Sequence, residues 1–581
     1  MSLKLSKIAN ILILTNIIIL FTIPQLNNIH YDPSPTFWAQ IIFVWVSNIL
    51  FLTITLTQKK INIPFITIPL LCFAIYICSQ QFFVKLPFVG LNYITALEML
   101  VCIMLSISAN TIVNNYSLRI LIIYLSIALL ISSLLQSAIG FIQYNNLFKY
   151  FGGFIFYDPL HPTTNIFGHF GQRNHYCHFL TWATFALIYL YHIKFINKYI
   201  FLPTLCWFMF SMTIAASRSV FIYFMLGNII TFIYFLIKKD KASLSLFLTT
   251  IFALILLVSF EYFYPLMQSK IHITQVASGF NRLASGEGNE MGRRFVEWQK
   301  AFITFKQNFV FGTGLFGYAK NSVFLYKLFP HTPLNSGLFT NCHNIVLQLL
   351  AETGIIGTMI VVLGIIYAII RMFHNVSTEI IILCCMLSTT IAHSMLEYPL
   401  WYLYFLGPFI IFLSVDRPIY IINKKVILPI SLVTVVWFSY LLVANSLIFD
   451  KLVNYIDTPD DLVTFKQQAN QLKKIAKNDV LASYLAVFTL DNYINIDSAY
   501  TIKTFSHDEQ LKYEDLFTNF QPYPSNLIKL AKLEWSDGNK DKAKELTSVA
   551  VTAYPVYKSS ILASLHTKKY KALYNLANHI K

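Results

Sequence analysis

The chain has 581 residues, 56% of them apolar and only 12% charged, with 43 Lys plus Arg against 27 Asp plus Glu. That charge fraction is about half of what soluble domains carry, which excludes a soluble globular protein, a disordered chain, a collagen-like fibre and a disulfide scaffold. The net charge of +16 does not mark a nucleic-acid partner, because from Asp450 onward 17 Lys meet 15 Asp plus Glu; the excess, 26 basic against 12 acidic, sits in the apolar first 449 residues, where a positive bias reports membrane orientation.

Thirteen apolar runs of spanning length follow in chain order: 8–24, 37–56, 63–82, 91–108, 118–141, 176–193, 199–216, 218–237, 243–264, 355–372, 378–396, 398–415 and 426–447. They are expected to be helices, since a helix satisfies its own backbone in lipid. The first follows Lys4 and Lys7 as a signal peptide would, but no small-residue cleavage site precedes Ile23-Pro24-Gln25-Leu26, so it reads as a retained anchor. With a cytoplasmic N-terminus, the inner segments hold fourteen basic residues: Lys4, Lys7, Lys59, Lys60, Arg119, Lys194, Lys198, Lys238, Lys239, Lys241, Arg371, Arg417, Lys424 and Lys425. The short outer connections hold two, Lys85 and Arg218, a positive-inside pattern.

The expected fold is therefore an all-α polytopic membrane protein of four parts. Helices of 1–264 carry a polar outer loop at 142–175, a large outer loop covers 265–354, further spans cover 355–447, and a small helical domain covers 448–581 on the outer side. In the last part Leu527–Leu533 has a helical pattern, Gly538 breaks it and Lys542–Leu546 resumes it before Pro555, as in a tetratricopeptide-like hairpin. The eight cysteines lie mostly in or beside spans and make no disulfide framework. No zinc or nucleotide motif occurs, so no metal or cofactor is expected.

Five outer segments concentrate polar groups. Gly168-His169-Phe170-Gly171-Gln172-Arg173-Asn174-His175 precedes the sixth run; it is either a polar helix cap or, given the donors of Gln172, Arg173, Asn174 and His175, a sugar or phosphate site. Arg218 tops the eighth run, as a headgroup anchor or as an anion ligand at a helix N-terminus. Arg293 and Arg294 open a helical stretch in which Arg294 and Trp298 share a face, either an amphipathic helix on the membrane or a ligand-facing one. The Gly312-Thr313-Gly314 behind it is a turn, not a phosphate loop. His343 starts a helix, as a structural group or as a functional one on the same outer face; Glu352, nine residues on, lies nearly opposite and makes no ready dyad with it. Glu397-Tyr398-Pro399-Leu400-Trp401-Tyr402 breaks the last spans with belt aromatics or site residues.

These pieces resemble the bacterial O-oligosaccharyltransferases of the pilin-glycosylating type, within the wider family of O-antigen ligases and polymerases. The resemblance rests on Phe170–His175, Ser217-Arg218-Ser219, Arg294-x-x-x-Trp298, His343-Asn344-x-x-Leu347-Gln348-x-x-x-Glu352-x-Gly354 and Glu397–Tyr402. The family pattern often has Gly directly before the Trp-spaced Arg; here Gly292 precedes Arg293, and both arginines stay candidates. The resemblance implies a glycosyltransferase-C-like fold in the bacterial inner membrane, with no required metal. It implies a glycan donor on undecaprenyl diphosphate and a Ser or Thr acceptor on pilin or another periplasmic protein. Arg218 and Arg294 would neutralise the leaving diphosphate, with Arg293 and Arg282 behind them. His343 would act as general base. Gln172 and its neighbours would orient sugar or acceptor, and Glu397, Tyr398 and Tyr402 would complete the pocket. The rivals are an O-antigen ligase or polymerase with a sugar-hydroxyl acceptor, and a transporter. The region after Asp450 favours a protein acceptor, and the scarcity of mid-span charge, with Glu98 and Glu379 the exceptions, disfavours transport.

Overall fold

The computed structural model describes residues 2–271, 289–329, 337–374 and 376–580, and these are almost wholly helical. The first part holds α1 (Ser2–Thr22), α2 (Phe37–Thr57), α3 (Thr67–Ser79), α4 (Val89–Asn115), α5 (Leu118–Tyr144), α6 (Arg173–His192), α7 (Lys198–Ala215), α8 (Ser219–Lys238) and α9 (Lys241–Ile271). Then come α10 (Asn289–Gln307), α11 (Tyr318–Phe324), α12 (Ile345–Met372), α13 (Thr378–Ser394), α14 (Leu403–Leu413) and α15 (Lys424–Asn454). The C-terminal helices are α16 (Leu462–Asn478), α17 (Ser483–Tyr493), α18 (Ala499–Thr504), α19 (His507–Phe520), α20 (Pro524–Ser536), α21 (Lys540–Ala553), α22 (Lys558–Leu565) and α23 (Lys571–His579).

Among the described residues, eight helices are long and apolar enough to cross a membrane: α2, α4, α5, α7, α8, α9, α12 and α15. The other five of the thirteen expected spans differ from these. Apolar stretches in α1, α3, α13 and α14 are shorter; the eleven residues of α14 reach about 16 Å against about 30 Å of hydrocarbon. Helix α6 opens with the polar Arg173-Asn174-His175 and is central instead, with His175 through Leu190 buried. Around it lies a continuous apolar core that includes Trp182, Phe185, Phe224 and Phe405.

The two ends of the bundle differ. At one, strand β1 (Lys60–Ile63) pairs antiparallel with β2 (Tyr420–Asn423), and Arg371 Nε bonds Asp416 Oδ2 at 2.7 Å. Basic residues expected on the inner side, such as Lys60, Arg371 and Lys424, collect there. At the other end α12 is broken at Gly354, whose φ of 62° and ψ of −167° are not helical. The segment before α11 zips into that break: Thr313 N donates to Ala351 O at 3.0 Å, and Ile355 N donates to Phe309 O at 2.9 Å. Only glycine fits the crossing, since a Cβ on Gly312 or on Gly354 would collide with the other strand's backbone.

The C-terminal helices are seated on this same end. Phe88 and Leu91 of the α4 start share a core with Phe449, Leu485 and Phe520, and the Phe37 and Phe449 rings stack at 3.9 Å. Val323 and Tyr326 enter a second core with Leu527, Leu530 and Ala550. Helices α20 and α21 form a hairpin around Gly538, at φ +83°.

Candidate active site

Separate stretches of chain converge on one carboxylate. Glu397 lies in the break between α13 and α14 and is 3% exposed. Its Oε2 is 2.9 Å from His343 Nδ1 and accepts from Gln172 Nε2 at 3.2 Å. Its Oε1 accepts from Arg294 Nη2 at 2.5 Å and from Asn174 Nδ2 at 3.2 Å. Burial alone would push the carboxyl up, but the hydrogen bond and charge of His343, and then the charge of Arg294, outweigh it and hold the group down at about 2.

Local sequence explains each arrival. The chain reaches Gln172 through a turn in which Gly168 and Gly171 are left-handed, at φ +61° and +70°. Two buried glutamines of α5 staple that turn: Gln136 Oε1 accepts from His169 N at 2.9 Å, and Gln143 Nε2 donates to Gly168 O at 2.5 Å. Gln172 then caps α6 by position while its side chain goes to Glu397. On α10, successive residues diverge by about 100°. Arg294 therefore meets Glu397 while the Arg293 guanidinium stacks over Phe339 at 4.0 Å.

His343 is left-handed, at φ +57°, a conformation that costs a residue with a Cβ about 1–2 kcal/mol. Its neighbours impose it. Cys342 N donates to Gln348 Oε1 at 2.8 Å, and Asn344 Oδ1 caps α12 by accepting from Val346 N and Leu347 N, both at 3.1 Å. The capping group is thus Asn344, and the imidazole of His343 is turned to Glu397. An Nδ1–H donated to the carboxylate leaves Nε2 as the lone-pair nitrogen. Tyr398 stands edge-on to this ring at 5.4 Å, with Tyr402 6.1 Å beyond it.

The other sequence-derived candidates fall elsewhere. Arg173 Nη2 donates to Asn165 Oδ1 at 3.0 Å, in the outer loop. His175 is buried on the bundle side, its ring 5.2 Å from both Tyr402 and His393. Arg218 is half-buried at the start of α8, and Ser217 beside it donates to Asn174 Oδ1 at 2.8 Å. Glu352 is turned away from His343 and accepts from Tyr318 N at 3.2 Å. Arg282 lies outside the described residues. Sequence reading placed Glu397 in a pocket wall and missed it as the centre. The available signal was charge: among cationic and amide motif residues, it was an acidic one at the same boundary.

Comparison with known proteins bears on these same segments. The O-antigen ligase family model matches residues 203–362, which hold Arg218, Arg294 and His343. The model "Virulence factor membrane-bound polymerase, C-terminal" matches 381–566, and the protein glycosylation ligase model matches 166–191, which holds Gln172 and Asn174. The general O-oligosaccharyltransferase of Acinetobacter baylyi is 26% identical over 333 residues, 53% of this chain and 55% of the relative. The chain thus spans about half the length of the curated relative it matches. No solved structure matches the chain. Over 166–191 and 203–362 the chain is similar to the protein glycosylation ligases and the O-antigen ligases, and over 381–566 to the membrane-bound polymerases, the resemblance that its motifs carry.

Proposed function

We propose that the chain transfers a preassembled glycan from undecaprenyl diphosphate to Ser or Thr hydroxyls of pilin or other periplasmic proteins. The observation that carries this reading is the 2.9 Å contact between His343 Nδ1 and Glu397 Oε2, with Arg294 on the same carboxylate. It supports a base whose Nε2 takes the acceptor hydroxyl's proton while the buried anion balances the imidazolium that forms. The acceptor oxygen bonds to the anomeric carbon, the bond from that carbon to the diphosphate oxygen breaks, and the electron pair leaves with the diphosphate. The remaining donors of Arg294, with those of Arg218, meet that growing charge. Arg293 and Arg173 flank the donor's path, and His175, Tyr398 and Tyr402 shape the wall.

This reading places the site and the C-terminal domain on the periplasmic side of the inner membrane. Reporters fused after Lys425 and after Asp461 should read cytoplasmic and periplasmic respectively; the same side for both would remove that topology. The match of 203–362 to O-antigen ligases supports a second reading in which the acceptor is a sugar hydroxyl. Mass spectrometry of periplasmic proteins with and without the gene separates the two. Glycopeptides lost with the gene support the protein acceptor, and unchanged glycopeptides with altered lipopolysaccharide support the sugar.

A further inference from the structure

A second line of contacts joins the Arg218 turn to the glutamate. Ser217 Oγ donates to Asn174 Oδ1 at 2.8 Å, and Asn174 Nδ2 donates to Glu397 Oε1 at 3.2 Å. Ser219 Oγ stands 3.3 Å from Ser217 Oγ. Chemistry fixes the directions. A serine hydroxyl has one proton, and that of Ser217 is given to Asn174, so Ser219 is the donor in the Ser217–Ser219 contact. A flipped Asn174 amide would set its oxygen against the carboxylate, which repulsion forbids. The outcome is a line of donors from Ser219 to Ser217 to Asn174 to Glu397.

Serines at a helix start ordinarily cap it. Here α8 begins at Arg218 without a side-chain cap, and Ala216 before it is left-handed at φ +54°. The hydroxyls on either side of Arg218 are spent on the line to Glu397 instead. We propose that Ser217 and Asn174 are positioning residues that fix Arg218 at a set offset from Glu397, and so from His343. The inference rests on the transfer reaction proposed above. It gives Asn174 a task within the protein, since each end of its amide has a protein partner.

The test uses the purified full-length protein, a lipid-linked glycan and an acceptor peptide. Ser217→Ala and Asn174→Ala should each lower kcat by about 10–100-fold, the scale of a displacement near 1 Å, with far smaller changes in donor KM. The double variant should be no slower than the worse single, because both break one line. Asn174→Asp keeps the shape but sets a second carboxylate against Glu397, so one proton is shared and the acid limb of the pH–rate profile should rise by about one unit or more. If Ser217→Ala fails to fold, the Asn174→Asp profile decides. Ser217→Ala at the wild-type kcat, additive losses in the double, or an unmoved acid limb would each overturn the inference, provided His343→Ala is slow. Transfer by His343→Ala at close to the wild-type rate would instead overturn the reaction on which it rests.

Discussion

His343 and Glu397 are 54 residues apart in the chain, and their Nδ1 and Oε2 atoms meet at 2.9 Å. The same buried carboxylate holds Arg294 at 2.5 Å. One anion therefore sets both the tautomer of the imidazole and the place of a guanidinium. In the proposed reaction the base for the hydroxyl and the cation for the diphosphate would thus share a single support.

Removing the imidazole should slow transfer steeply without unfolding the protein. His343→Ala is expected to slow transfer by about 10²–10⁴-fold, with donor binding kept. His343→Gly should be equally slow but melt higher than His343→Ala, because glycine relieves the left-handed backbone at φ +57°, a difference of about 1 kcal/mol. Equal melting of the two would show that the position is not strained. Rapid transfer by either would end the role of His343 as base.

The carboxylate should leave a signature in acid. Glu397 is held at about 2 in the fold, against about 4.3 in an unfolded chain. A lowered folded value means that its contribution to stability is complete above the unfolded value and is lost as pH falls from about 4.5 toward 2. Melting of wild type and Glu397→Gln in detergent should therefore differ most near neutral pH and converge across that window. Transfer by Glu397→Gln should fall by about 10²-fold or more, since an amide cannot accept from donors on both of its atoms. A constant melting gap down to pH 2 would show that the carboxylate is not held low.

Arg218→Lys and Arg294→Lys keep the charge and lose the planar fork. Each should reduce transfer by at least about 10-fold at normal membrane abundance, consistent with the cost of removing a placed donor. Near-full activity of both lysine variants would remove the diphosphate role and leave Arg218 as a headgroup anchor.

Much of this architecture is legible in sequence because lipid imposes a simple rule: apolar runs become helices, and Lys60, Arg371 and Lys424 gather at one end. Relations that are not periodic are harder to read. The polar start of α6 is a central helix end, which hydropathy alone does not separate from a span. The break at Gly354 shows as a glycine, but its partner at Gly312 is 42 positions away and no spacing rule links them. The motif residues were found one by one, whereas the assignment of Asn344 as the cap and Glu397 as the common acceptor needed the three-dimensional meeting of α6, α10, α12 and the α13–α14 break.

The seating of the C-terminal helices gives the last prediction. Gly90, in the first turn of α4, lies against Val480 just ahead of α17; a Cβ there would collide with the Val480 carbonyl oxygen, a backbone atom that cannot swing aside. Nearby, Phe88 meets Phe520 at 5.4 Å and Phe37 stacks on Phe449 at 3.9 Å. Gly90→Ala should therefore push the domain from the α4 end and cost about 1–3 kcal/mol, the range of an overpacked contact. Glu397 and His343 lie outside this contact, so the chemistry should survive. The domain's proposed task is to present a folded acceptor. Gly90→Ala, and removal of 455–581, should then lower transfer to a folded protein more than transfer to a short peptide. Equal losses on both acceptors would assign the domain to stability alone, and no loss on either would remove it from the reaction.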